Sequence, residues 1–321
     1  MEMLEAGYAP NAEFHYLHHQ PGGVPYDNIA ETSARVAAAA SQSGIGLCLL
    51  PVHYEFGGCD GRELTSGQIR FGNDLDRFQT LRDGAVAAIS ALQKDTTHGV
   101  APHSLRAVGI EALRSYSTRF PNEPIHMHLA EQVAEVDEVK AHWGARPVEW
   151  ALGNMGIDAR WCLIHCTQMT PGETVRLAQS EAVAGLCPIT ESSLGDGIFD
   201  GVRWLDAGGA IAIGSDSNIR IALSEELRTL DYSQRLRDGT RAALASTAFS
   251  TGRRMFEEIL QGGAQATQRK TGRLEVGYWA DMLALDTDNE HMWGRADDTL
   301  LDALIFAGDD RLVRDVWSAG R

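Results

Sequence analysis

Basic charge is scarce in this sequence. Its 28 Lys and Arg face 44 Asp and Glu, for a formal net charge of −16. That excludes a general nucleic-acid binder, which needs a basic surface against phosphate, and it disfavours docking on anionic membranes. Long apolar runs are missing too. The richest stretch, Val36 to Pro51, is broken by Ser41-Gln42-Ser43-Gly44, whereas a membrane span needs ~20 apolar residues. The opening segment MEMLEAGYAP carries two Glu and no basic cluster, so it does not read as a signal peptide. Cysteine is sparse and odd in number: Cys48, Cys59, Cys162, Cys166 and Cys187, with no CxxC. Buried reduced thiols in a cytoplasmic protein are expected, not a disulfide framework. GxGxxG, GxxxxGK[ST] and GxSxG are all absent, so dinucleotide, P-loop and serine-hydrolase readings lack their motifs.

What remains is an ordinary globular composition, 44% apolar and 22% charged over 321 residues. That length suits two domains, or one barrel-sized unit plus a remnant. Seven short apolar runs each end in a polar residue, at 13–19, 44–54, 97–104, 124–132, 161–166, 183–188 and 210–217. Their markers His15, His53, His103, His128, His165, Pro188 and Asp216 lie roughly 33 residues apart, the length of a βα unit. The spacing predicts a parallel α/β fold, a (β/α)8 TIM-type barrel. Eight strands are needed and seven are visible. The chain opens in what reads as a helix end (Met3, Leu4, Gly7), so the first strand is expected to be missing.

The intervening helices are legible. Thr170-Pro171-Gly172-Glu173 reads as a capping box with Pro at the first helical position. Val133, Val136, Val139 and Trp143 form a stripe ending at Gly144, a C′ glycine. Leu223, Leu227 and Leu230 mark another helix, with Ser224 able to cap it. After about residue 270 the pattern changes, and Gly272 to Asp286 reads as turn and strand. The expected division is a barrel over 1–270 and a small β element over 271–321.

Functional side chains of parallel α/β folds collect at strand C-termini. Here those ends carry His103, His128, His165 and Asp216, donors suited to zinc or a similar divalent ion. The three lysines, Lys94, Lys140 and Lys270, lie away from the strand ends, which favours one ion over a lysine-bridged pair. Each residue also has a plainer reading. A strand-end His is often a hydrogen-bonded structural residue. His126 and His128 share a strand face, so both could bind one ion, or one could sit deeper in the core. Glu131 is placed either to work on a metal-activated water or as a first-turn helix acid. Asp216 is a ligand or an N-cap. Arg106 is a surface residue or a clamp for an anionic substrate.

With these residues in view, the chain resembles the amidohydrolase superfamily in its mononuclear deaminase branch. Gly272 to Asp281 (GRLEVGYWAD) is similar to that superfamily's closing G-x-L-x-x-G-x-x-A-D motif. More closely, the chain resembles the formimidoylglutamate deiminases. The segments that carry this are EFHYLHH at 13–19, APHSLRAV at 101–108, HMHLAEQ at 126–132, LIHCTQMT at 163–170, CPITESSLGDGIFD at 187–200, GSDSN at 214–218 and EELRTLDYSQRL at 225–236.

The resemblance implies one zinc ion with His128 and Asp216 as ligands and Glu131 as proton shuttle. It implies that His165 hydrogen-bonds the attacking water or the substrate, and that Asp216 also orients and helps deprotonate that water. Tyr16, His103 and Arg106 would hold the substrate, Arg106 pairing a carboxylate, and His126 would be a layer deeper. The reaction implied is hydrolysis of N-formimino-L-glutamate to N-formyl-L-glutamate and ammonia, in histidine breakdown. The expected setting is a cytoplasmic homodimer acting on a small anionic substrate, with no nucleic acid or membrane partner.

Two departures stand out. Asn218 occupies a position where the family has His. The family's first-strand H-x-H, which supplies two further zinc ligands, would lie upstream of Met1. A truncated member is therefore expected, with the first half of a small β-sandwich also missing and 271–321 its C-terminal part. Weak metal binding, little or no activity and exposed edge strands beside 13–19 and 210–217 follow from that expectation. The alternatives are a sibling deaminase of a purine, pyrimidine or triazine, and a non-catalytic scaffold.

Overall fold

The structure is a computed structural model that describes residues 1–321. Its strands are β1 (Pro10–His15), β2 (Gly46–His53), β3 (Thr97–His98), β4 (Ala101–Pro102), β5 (Ile125–Leu129), β6 (Trp161–His165), β7 (Val183–Leu186), β8 (Ala210–Ile213), β9 (Met282–Leu285) and β10 (Val313–Trp317). Six of the seven apolar runs hold one βα strand, the third being interrupted into β3 and β4, while the first overlaps only the end of β1, which starts at Pro10. Parallel strands alternating with helices make the chain an α/β protein of the TIM type. It packs as two compact units, Pro10–Ile164 with Ala266–Arg269, and Met1–Ala9 with His165–Gln265 and Lys270–Arg321.

In the unit built on Pro10–Ile164, β1 runs parallel to β2 in the register Pro10↔Gly46 through His15↔Pro51. β2 also pairs in parallel with β3 and β4. Every residue of β2 is buried, as expected of a parallel strand covered on both faces. The period-2 alternation divides its side chains. Leu47 and Leu49 pack with Ala37, Ala40, Ala85 and Ile89 of the helices Glu31–Ser43 and Leu75–Ile89. Cys48, Leu50 and Val52 point the other way, toward Ala101, Phe14 and Tyr16. Burying a leucine of this kind contributes about 2 kcal/mol. Isolated parallel bridges Val100↔Ile125 and Ser104↔His128 continue the pairing to β5.

The unit containing His165–Gln265 has β7 and β8 in parallel, Val183↔Ala210 to Leu186↔Ile213. The helix Thr251–Thr267 crosses β8 at Gly262, where an added Cβ would collide with the Ile211 backbone. The small β element expected after residue 270 is the antiparallel pair β9–β10. None of the helices is long and apolar enough to cross a membrane.

Of the three helix ends named from the sequence, two are built as expected. Thr170 and Glu173 form the reciprocal capping box. Gly144 closes the helix Val133–Trp143 in the left-handed region at φ 77°, although Val133 itself is exposed. Ser224 is not a cap. The helix Leu223–Asp238 begins one residue before it, and Asp310 reaches in from 86 residues away to accept from the Ser224 amide (3.2 Å) and hydroxyl (2.8 Å). All five cysteines are free, four of them buried and Cys59 half-buried.

Two histidines outside the expected site are held neutral by burial. His15 meets Ser33 Oγ at 2.8 Å and has its pKa pushed down to about 4. His18 meets the Val52 carbonyl at 2.9 Å and is pushed down by burial and then by His15, its ring 5.2 Å away. The unfolded chain therefore binds more protons, and stability is full above pH ~6.5 and lost as pH falls toward ~4. Urea midpoints should drop between pH 7 and pH 5, by the equivalent of roughly 2 kcal/mol for His15, and His18→Gln should flatten the decline. A pH-independent midpoint over that range would contradict this assignment.

Candidate active site

Five of the expected site residues meet in the unit built on Pro10–Ile164. The His103 and His128 rings lie 4.8 Å apart, Tyr16 is edge-on to His103 at 5.4 Å, and Phe14 backs His128 at 4.6 Å. Arg106 Nη2 stands 3.6 Å from Glu131 Oε2. The backbone explains the meeting. The His128 amide donates to the His103 carbonyl at 3.0 Å, so the ends of two neighbouring strands stay level. His128 Nδ1 also lies 3.0 Å from that carbonyl. A carbonyl only accepts, so Nδ1 carries the proton and Nε2 keeps its lone pair, the tautomer a metal-binding imidazole needs.

The plainer readings now separate. His126 is the deeper histidine: it is buried, with Nε2 2.7 Å from the Ala266 carbonyl and a pKa lowered by burial to about 4. Glu131 is not a first-turn acid, because the helix starts at Val133. Asp216 caps no helix, since the next one starts at Leu223 behind Ala222. Arg106 is part-buried, and its Nε is a buried donor with no protein partner. Such a donor costs about 1–3 kcal/mol if left unmet, so an anion is its natural complement. His103 is pushed down to about 3, by burial first and by the Arg106 charge second. It therefore serves as a neutral hydrogen-bonding ring.

In the unit containing His165–Gln265, His165 Nε2 stands 3.9 Å from Asp216 Oδ2, with His165 buried. Cys187 Sγ joins them, all three ligand atoms lying within 4.8 Å of one another. Imidazole, carboxylate and thiol are donors that fit zinc or a similar borderline ion. The strand ends are strained: His165 (φ 72°), Cys166 (φ 53°) and Asp216 (φ 52°) are left-handed, as is Ala130 (φ 52°) in the first unit. Non-glycine residues there cost of order 1–3 kcal/mol each and collect at functional sites.

Sequence reasoning missed two buried glutamates. Glu135 accepts from the amides of Ala130 (3.0 Å) and Glu131 (2.9 Å). Glu191 accepts from the Cys187 amide at 3.0 Å and faces His165 Nδ1 at 3.3 Å. Glu135 had a signal, an acid in the first turn after a strand-end glutamate. Glu191 had none beyond its place in CPITESS.

With this geometry in hand, the comparisons place the chain in a class. Residues 1–321 match the amidohydrolase family, and the chain belongs to it. A formimidoylglutamate deiminase of Pseudomonas aeruginosa is 44% identical over 323 residues, covering all of this chain and 71% of that protein. A crystal structure of an amidohydrolase from Brucella melitensis, 45% identical, superposes with a TM-score of 0.94 over 99% of this chain and 70% of that one. A 5-methylthioadenosine/S-adenosylhomocysteine deaminase of Bacillus cereus is 26% identical across the whole chain and 68% of its own length. A zinc-containing adenosine deaminase of Xanthomonas campestris, 22% identical with a TM-score of 0.76 over 90% of this chain and 63% of that one, shares the fold.

Glu135→Ala would remove a buried acceptor shared by two strand-end amides. At about 1–3 kcal/mol each, stability should fall by roughly 2–6 kcal/mol in urea unfolding at pH 7. A loss below about 0.5 kcal/mol, the usual size for a neutral surface change, would remove Glu135 from this role.

Proposed function

We propose that this chain hydrolyses the formimino C=N bond of N-formimino-L-glutamate, giving N-formyl-L-glutamate and ammonia, a step of histidine breakdown. The coarser statement, a hydrolase acting on C–N bonds, follows from the family and from the 44% identical deiminase. The observation that carries the finer one is Arg106. Its buried Nε lacks a protein partner, beside a neutral His103 and Tyr16. Two carboxylates distinguish a glutamate-derived amidine from a heterocycle, and a guanidinium matches a carboxylate in shape and charge.

Imidazole and carboxylate are donors suited to zinc, and in this reading His128 and Asp216 would be its ligands. Such an ion, when bound, supplies hydroxide at neutral pH by lowering the pKa of water from 15.7 toward ~7. The rest falls to the protein. Arg106, Tyr16 and His103 fix the substrate with its formimino carbon facing the attacking oxygen. Asp216 orients that oxygen and accepts its proton, and His165 hydrogen-bonds it. A C–O bond forms at the formimino carbon, and Glu131 carries the first of the water's two protons to the terminal nitrogen. The second, taken by Asp216 from the hydroxyl now on carbon, passes to the same nitrogen as the C–N bond to it breaks, so it leaves as ammonia and the formyl C=O closes. Proton transfer of this kind is commonly worth ~10²–10⁴-fold. Because that hydroxide would come from a bound ion, turnover should depend on zinc.

Ammonia release from N-formimino-L-glutamate should rise with zinc. Glu131→Gln should lower kcat by at least ~10²-fold, and Arg106→Ala should act chiefly on KM. No ammonia at any zinc concentration, normal turnover in Glu131→Gln, or a preference for an adenosine-type substrate would overturn the reading.

A further inference from the structure

We propose that Cys187 is a metal ligand: with His165 and Asp216 it forms a thiolate-containing site for a borderline-soft divalent ion such as zinc. The first support is placement. The three ligand atoms come from three successive strand ends of one compact unit, and all lie within 4.8 Å of one another. Tetrahedral zinc at ~2.0–2.3 Å from N, O and S needs ligand atoms ~3.3–3.6 Å apart. His165 Nε2 and Asp216 Oδ2 are already at 3.9 Å. The remaining closure, under ~1.5 Å, falls to the part-exposed Asp216 side chain and to rotation of Sγ about the Cys187 Cα–Cβ bond.

The second support is independent of those distances. A metal-binding histidine characteristically donates its other ring N–H to a carboxylate, which fixes its tautomer. Glu191, itself buried, does this here: its Oε1 faces His165 Nδ1 at 3.3 Å and accepts from the Cys187 amide at 3.0 Å. One carboxyl oxygen thus orients two of the three ligands and leaves His165 Nε2 as the donor atom on the Asp216 side. The left-handed backbone at His165 and Asp216 aims both side chains from strained positions, as functional sites do.

Binding replaces the Cys187 S–H proton, released to solvent, by an S–metal bond, with no change of oxidation state. An ion held this way takes His165 as a ligand in place of the hydrogen bond assigned to it above. It is therefore a second state of the site, favoured by softer ions. The inference rests on the proposed function only through Asp216, so deimination and thiolate ligation can fail separately.

Cobalt(II) added to the full chain under reducing conditions is the test. A near-ultraviolet thiolate-to-cobalt charge-transfer band, saturating at one ion per chain, is expected in the parent and in Cys166→Ser. It should vanish in Cys187→Ser, and Glu191→Gln should weaken binding by ~10–100-fold. No binding, a bound ion without the band, or a band that survives Cys187→Ser would each overturn the proposal. Zinc-edge X-ray absorption on the unsubstituted chain reads the same point should a variant fail to fold. One sulfur scatterer at ~2.3 Å supports the assignment, and a shell of only nitrogen and oxygen sinks it.

Discussion

Two buried carboxyl groups hold the strand ends on which the rest of the site depends. Glu135 takes the amides of Ala130 and Glu131, and Glu191 takes the amide of Cys187 while facing the His165 ring. Each grips a place where the chain leaves a parallel strand and must turn before its helix begins. The turns are strained, with Ala130, His165 and Asp216 all left-handed. An uncapped strand end would relax toward extended backbone and swing its side chain away. Backbone hydrogen bonds of ~0.5–1.5 kcal/mol each, with a larger penalty when unmade, are the right size to offset strain of ~1–3 kcal/mol.

That constraint links packing to chemistry. The period-2 division of β2 places Phe14 and Tyr16 on the inner face beside Val52. Phe14 then backs His128, Tyr16 abuts His103, and the His103 carbonyl fixes the His128 tautomer. The single guanidinium among them, Arg106, balances Glu131 at 3.6 Å and keeps a buried Nε for another anion. A chain with a net charge of −16 thus keeps a part-buried guanidinium among these rings.

The strands were legible from residues alone because each apolar run is local and ends in a polar side chain. The capping box at Thr170 and Glu173 and the left-handed Gly144 were legible for the same reason. His103, Arg106, His128 and Glu131 could be proposed together because motif spacing put them at adjacent strand ends, and the structure brings them together. Ser224 was misread because its partner, Asp310, lies 86 residues on. Glu191 and Cys187 were passed over because their meeting with His165 depends on tertiary return, which no local spacing encodes. Gly262 is the reverse case: a helix glycine that looks unfavourable by propensity is required where the helix meets the Ile211 backbone.

The carboxyl clamps are tested most directly by residue-resolved hydrogen exchange of the native chain. If Glu135 and Glu191 hold the strand ends, the amides of Ala130, Glu131 and Cys187 exchange as slowly as those inside β5 and β7, through large-scale opening only. Exchange of these three amides at the rate of exposed loops, with β5 and β7 still protected, would show that the strand ends are not held and would contradict the account.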